Sequence, residues 1–371
     1  MKQHSTFALY AFILSLLLGG CKTGSETSED WAIISFVKQD AVNPIMGPRD
    51  DTWFFCPIGK DSVLWEEKDV FNPSAVLKDG KIYLIYRAED VVGKYLGTSR
   101  IGIAVSEDGI NFERHPVPVL YPDEDFMKEF EWEGGVEDPR VVLDEFGDYY
   151  MTYSSYDGDK ARLCLASSAD LYNWQKHGLV LGVGKYRDVW SKSGAVITKQ
   201  VGNEFIAEKV NGKYWMLFGD TDIFIAWSEN MIDWIPVEVE EPYSGRMMPG
   251  TEYLYRVFRP RDGNFDSDLV ESGPQIISTE NGHVMIYNSK NLNDPTYPVG
   301  TYAAGQVLLD LKDPKKVVSR LEKDFFHPEK DYEITGQVNN VCFVEGLVYH
   351  QEKYFLYYGT ADSKIAVAIQ E

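Results

Sequence analysis

Bulky apolar and aromatic side chains recur along the chain in short runs of strand character. They read KIYLIY over Lys81–Tyr86, DYYMTY over Asp148–Tyr153, KYWMLF over Lys213–Phe218, HVMIY over His283–Tyr287 and KYFLY over Lys353–Tyr357. The runs end at intervals of 65 to 70 residues, a fivefold internal repeat. Each is preceded by an expected turn: Lys78-Asp79-Gly80, Glu145-Phe146-Gly147, Val210-Asn211-Gly212, Glu280-Asn281-Gly282 and Val344-Glu345-Gly346. In the first three copies a second strand and turn follow, IAVSEDGINF over Ile103–Phe112, LASSADLYNW over Leu165–Trp174 and IAWSENMIDW over Ile225–Trp234. Amphipathic helical periods are almost absent, apart from a short helix expected within Asp123–Trp132 between the first two copies. Three or four antiparallel strands repeated five times predict an all-β fold, a five-bladed β-propeller, as one domain over 31–371. The repeat is longer than the roughly 40–50 residues of the shorter propeller blades, which leaves residues for loops.

The first residues follow another pattern. A Lys near the start, an apolar run from Phe7 to Leu18 and Gly19-Gly20-Cys21 read as a secretory signal over 1–20, too short to span a membrane. Small residues before Cys21 make that cysteine the expected lipidation site and mature N-terminus, with 21–30 as a lipidated tether. The protein is then exported and held to a bacterial membrane only through this anchor. Cys56, Cys164 and Cys342 have neither paired nor C-x-x-C spacing, and read as buried small apolar residues rather than disulfides or a zinc site.

Composition changes the picture at one point. Lys and Arg number 36 against 58 Asp and Glu, a formal charge of −22, and aromatics are 14% of the chain. A negative field repels phosphate backbones, so nucleic acid is excluded as a partner, and rings beside carboxylates suit a neutral sugar.

In a propeller the innermost strand of each blade lines the axis, and the segments before the aromatic runs carry polar groups at equivalent places. These are Phe71–Ser74, Glu133–Arg140, Trp190–Gly194, Val270–Pro274 and Gln337–Asn340. Charges are costly among apolar blades unless they face a shared wet funnel, so their recurrence points to a site. Asp138, beside Glu137, Pro139 and Arg140, is either a structural ion-pair member or an acid whose pKa burial raises for proton donation. Arg87 and Asp362 follow the aromatic runs of blades one and five, placed to bind hydroxyls or each other. His115, His177, His283, His327 and His350 lack ligand spacing and read as surface or turn residues. With no nucleophile elbow, P-loop or metal motif, no metal or cofactor is called for, and paired carboxylates remain, the apparatus of glycoside cleavage.

Asn72-Pro73, Tyr86-Arg87-Ala88, Gly134-Gly135-Val136-Glu137-Asp138-Pro139-Arg140, Lys192-Ser193-Gly194, Glu208-Lys209, Gly273-Pro274 and Ala361-Asp362 resemble, in order, the motifs of glycoside hydrolase family 130. The resemblance implies a five-bladed propeller acting on β-mannosides with inversion, mostly by phosphorolysis and in some members by hydrolysis of β-1,2 linkages. It implies Asp138 as general acid, acting through a mannose hydroxyl. Asn72, Arg87 and Asp362 would hold the mannose, with Arg140, Lys192 and Lys209 in the same pocket. The chain departs where phosphorylases carry basic phosphate ligands: it has Phe218-Gly219-Asp220 and Tyr287-Asn288-Ser289. It also has Glu271 where phosphorylases tend to have a small residue, which makes Glu271 the first candidate for a base that activates water, and Glu208 the second. The expectation is an inverting hydrolase of β-mannosidic, β-1,2-type linkages in mannan oligosaccharides. The alternatives are a phosphorylase releasing mannose 1-phosphate, with Arg140, Lys192, Lys209 and Arg261 as phosphate ligands, and a surface glycan-binding propeller without catalysis.

Overall fold

Each aromatic run is the second strand of an antiparallel sheet, and five such sheets stand around one axis. The computed structural model describes residues 29–371; the leader expected over 1–20 and Cys21 lie outside them. Residues Trp31–Glu371 form one compact unit. Blade one is Asp69–Lys78, Lys81–Glu89, Ser99–Ser106 and Glu113–Arg114, and blade two is Gly135–Leu143, Tyr149–Tyr156, Ala161–Ser168 and Gln175–Leu179. Blade three runs Ala195–Val201, Lys213–Phe218, Ile223–Ser228, with Ile235–Pro236 and Arg256–Phe258 sharing its edge. Blade four starts with an inner strand broken into Leu269–Ser272 and Ile276–Ser278, then His283–Lys290, Tyr302–Leu309 and Val317–Arg320. Blade five has Cys342–His350, Lys353–Thr360 and Lys364–Gln370, and takes its fourth strand, Phe36–Lys38, from the other end of the chain. The expected helix between blades one and two is a single turn, Lys128–Glu131.

The core is a ring of five apolar clusters, one between each pair of neighbouring blades. Ile85 and Met151 meet between blades one and two, and Leu163 and Met216 between two and three. Leu217 and Met285 meet between three and four, Ile286 and Leu356 between four and five, and Val367 and Leu84 close the ring between five and one. Strands buried on both faces must be apolar on both faces, which is why the runs read as nearly continuous hydrophobic stretches. Where the third strand of blade one meets the inner strand of blade two, a Cβ on Gly135 would lie 2.2 Å from the Ser99 carbonyl oxygen; glycine is required there.

The repeated second segments end in turns that their own side chains hold. Asp108 accepts from the amides of Ile110 and Asn111, Asp170 from those of Tyr172 and Asn173, and Asn230 from those of Ile232 and Asp233. Four of the five expected turns before the aromatic runs are hairpin corners, but Val344-Glu345-Gly346 is not. It lies inside the inner strand of blade five, at a bulge, and the corner is Gln351-Glu352, both with positive φ. The glycine at 346 suggested a turn. It is needed instead for close approach, since a Cβ there would come 2.7 Å from the Pro73 carbonyl oxygen. Cys56, Cys164 and Cys342 are buried free thiols, as expected. His283 and His350 are buried rather than on the surface: His283 faces Ser278 Oγ through Nδ1, and His350 meets the Glu107 carbonyl through Nε2.

A second repeat, invisible as a motif, ties the blades internally. A buried acid ahead of the inner strand accepts a tyrosine hydroxyl and meets a cation from the outermost strand. Glu66 holds Tyr86 and Arg114, Glu131 holds Tyr153 and Lys176, Asp266 holds Tyr287 and Arg320, and Glu333 holds Tyr358 and Lys38. Blade three has Phe218 where three of the others end the run with such a tyrosine.

Candidate active site

The inner strands of blades one and two bulge at the same place, between Phe71 and Pro73 and between Glu137 and Arg140. The bulge residues, Asn72 and Asp138, take left-handed φ of 47° and 50°, a region that short polar side chains tolerate best. Ser193 and Asp362 share that conformation at φ 57° and 49°. Four blades therefore turn a side chain toward one end of the axis by the same backbone device. Blade four does it by interrupting its inner strand at Gly273-Pro274, with Glu271 just before the break.

These side chains converge. Asn72 donates its amide to Asp138 Oδ1 at 2.9 Å, and only the absence of a side chain on Gly359 lets it sit there, since a Cβ would fall 2.1 Å from Asn72 Oδ1. Arg87 reaches Asp138 at 3.3 Å, Glu137 at 2.9 Å and Glu89 at 2.6 Å. Lys192 approaches the same two acids from blade three, 3.5 Å from Asp138 and 3.8 Å from Glu137. Glu271 accepts the Ser193 hydroxyl, and Asp220 accepts the Trp190 indole N–H at 2.7 Å.

Burial acts to raise the Asp138 carboxyl, but Arg87, Lys192 and the Asn72 amide outweigh it and hold Asp138 well below the usual range. The rise expected from sequence is thus reversed by neighbouring cations. Glu271 goes the other way: burial pushes it up to about 7 against the pull of Lys192, with Asp220 and Asp138 adding like-charge repulsion. Asp362 is likewise lifted by burial to about 7, opposed by Arg87. Burial works to lower Lys192, yet Asp138, Glu137, Glu271 and Asp220 raise its pKa overall and keep it charged.

Of the residues singled out in sequence, Asn72, Arg87, Asp138, Lys192, Glu271 and Asp362 come together. Arg140 is adjacent but turned inward. It is 3% exposed and donates to the carbonyls of Gly273, Ser272 and Asp138, with Glu345 at 3.1 Å. It ties blade two to blades four and five rather than opening to a ligand. Glu208 and Lys209 are not brought to the cluster. Lys209 pairs with Tyr214 beside the hairpin corner of blade three, at the end of the strand away from Phe218-Gly219-Asp220, and its ammonium lies 4.7 Å from the Tyr214 ring centre. Sequence order put them in the pocket, but strand direction carries them to its far side. Arg261 pairs with Asp266 in the blade-four tie.

Four members of the cluster were missed. Glu89 lies two residues beyond Arg87, on the same strand face; Ser193 sat in a quoted segment without a role, and Asp220 was noted only as a departure from the phosphate ligands. Glu345 was hidden by the misplaced turn. Among the described residues, no group of three or more His, Cys, Asp or Glu is arranged to hold a metal ion.

The model of a family described as β-1,4-mannooligosaccharide phosphorylase matches residues 57–371. The chain is 35% identical to a 1,2-β-oligomannan phosphorylase of Thermoanaerobacter sp., over 83% of this chain and 91% of that one. A glycosyl hydrolase structure from Bacteroides ovatus is 42% identical with a TM-score of 0.86, covering 92% of this chain and 94% of that one. A further structure, 42% identical with a TM-score of 0.87 over the same shares, comes from work on GH130 glycoside hydrolases that target β-1,2-mannosidic linkages in Candida mannan.

Proposed function

The chain belongs to glycoside hydrolase family 130 and acts on β-mannosides, and from that premise we propose that it hydrolyses β-1,2-mannosidic bonds with inversion. One observation carries the choice of water over phosphate. Each of the four cations that the sequence offered as phosphate ligands is already neutralised or elsewhere: Arg140 on backbone carbonyls and Glu345, Arg261 on Asp266, Lys209 at the far end of blade three, Lys192 among four carboxylates. A dianion entering beside Glu271 and Asp220 would meet net negative charge. A neutral water would not.

In this reading Glu271 is the general base. A carboxyl lifted to about 7 is matched to neutral pH, strong enough to take a proton from water and still ionised above that pH. The water attacks the anomeric carbon from the face opposite Asp138, its proton passes to Glu271, and the glycosidic oxygen leaves with a proton that originates on Asp138 and travels through a mannose hydroxyl. In the free enzyme Asp138 is ionised, so its first task is to accept that hydroxyl's hydrogen bond. It becomes an acid when Asn72 and Arg87 turn from it to the sugar, their hold on the carboxylate weakens, and it takes up a proton from solvent as the substrate binds; that proton is the one passed through the mannose hydroxyl. Asp362 completes the grip on the mannose.

Product analysis on β-1,2-mannobiose, with and without inorganic phosphate, tests the reading. Free mannose is expected in both conditions at equal rates. Mannose 1-phosphate formed only with phosphate would assign a phosphorylase, and tight binding without turnover would assign a glycan-binding propeller.

A further inference from the structure

The wall of the funnel between blades one and two carries two aromatic rings that belong neither to the catalytic cluster nor to the apolar clusters of the core, the outer one with the Lys94 ammonium 4.9 Å from its centre. Tyr156 ends the second strand of blade two and pairs with Gly135, two residues from Glu137 on the neighbouring strand. Its ring lies where a Cβ on Gly134 would collide with it, at 2.3 Å. Tyr95 stands further out, its ring centre 6.2 Å from that of Tyr156, and rests on the backbone of Gly158.

The loop that delivers Tyr95 is pinned at its base. Asp90 accepts from the amides of Val92 and Thr98 and pairs with Arg100 at 2.6 Å, and Glu133 accepts from the Lys94 amide. Its outer residues are held in water: Leu96 is 72% exposed, Val91 51% and Tyr95 37%. A loop with a rigid charged base and an exposed aromatic edge, leading away from the acid pair, has the form of a track for a chain of neutral rings. Sugar rings stack on tyrosine through their C–H faces, with the hydroxyl left to hydrogen-bond.

We propose that Tyr156 and Tyr95 form a platform for the leaving-side sugars of an oligomannoside, Tyr156 under the unit next to the cleaved bond and Tyr95 under the one beyond. The inference rests on the proposed reaction and names its substrate: chains of three or more units, taken from one end, rather than the disaccharide. The protein then gains transition-state stabilisation from each added unit that reaches a ring.

The test is the ratio of kcat/KM on β-1,2-mannotetraose to that on β-1,2-mannobiose, for the wild type, Tyr95→Ala and Tyr95→Phe. The ratio is expected to fall about tenfold in Tyr95→Ala and to be kept in Tyr95→Phe, which retains the ring. Equal losses on both substrates would make Tyr95 structural and overturn the platform, as would an unchanged ratio. If products form only with phosphate, the hydrolytic reading fails while the same ratio, measured with phosphate, still decides the platform. If nothing turns over, calorimetric affinities for tetraose and biose give the same ratio.

Discussion

Asn72, Asp138, Ser193 and Asp362 all occupy backbone that most side chains avoid, at a cost of roughly 1–2 kcal/mol for each residue ill suited to it. The return is convergence, since four blades aim a polar group at one point. That crowding separates two carboxyls in opposite directions, and the separation is measurable. If Glu271 is the base and Asp138 the acid, kcat/KM falls as pH climbs through about 7, because the reactive form needs one proton on the pair and the free enzyme, whose Asp138 is already ionised, loses its last one there. Glu271→Gln is expected to lose that limb and roughly 10²–10⁴-fold in rate; a limb near the ordinary carboxylate range would assign the base elsewhere. The same shift has a stability sign. A carboxyl raised from 4.5 to about 7 binds protons more tightly folded than unfolded, so it destabilises the fold as pH climbs through that window. Glu271→Gln should therefore raise unfolding stability at pH 8 by about 1–3 kcal/mol, read from thermal or denaturant melts.

Within a blade, the acid, tyrosine and cation ties do what hydrophobic burial cannot, fixing the outermost strand to the loop ahead of the innermost. In blade two Glu131 is fully buried and pushed by burial to about 7, with Lys176 opposing. Lys176→Met leaves that acid without its cation, an expected loss of about 3–5 kcal/mol at pH 8. At pH 5.5 the loss should be smaller, because the carboxyl escapes by taking a proton; equal losses at both pH values would mean the ion pair is not the cause. These ties were not read in sequence: the acids stand 20 to 25 residues before their tyrosines, but each is a single acidic residue with no motif around it, and the cation's separation varies from blade to blade. The blades themselves were legible, because Tyr86, Tyr153, Phe218, Tyr287 and Tyr357 repeat with one period and all are buried. Blade five was only half legible: Gln351-Glu352 turns the corner with two side chains in place of the usual glycine, and Gly346 drew the turn to the wrong place. Of the site, the motif-borne residues Asn72, Arg87, Asp138 and Lys192 were legible. Glu208 and Lys209 were misplaced, because order along the chain carries no record of which end of a strand faces the funnel.

Across the whole molecule, the outer edge of blade five is completed by Phe36–Lys38 from the other end of the chain. Phe36 pairs with Gln370 and Lys38 with Ala368, and the Lys38 ammonium reaches Glu333 at 2.8 Å. Removing residues through Lys38 bares the Lys364–Gln370 edge and leaves Glu333 buried without its cation. The expected result is a lower unfolding midpoint together with self-association through the open edge, visible in size-exclusion chromatography. A monomer of unchanged midpoint would show the seam to be dispensable. The seam also orders events in time. Phe36–Lys38 precedes all five blades in the chain and its partner strand follows them, so four blades can be complete while the fifth still waits, and contacts of such separation close slowly. Closure is thus a length check written into the topology. A chain broken off before its final strand keeps an unpaired edge that quality-control proteases and chaperones can recognise, and only a chain translated to Gln370 can hide it.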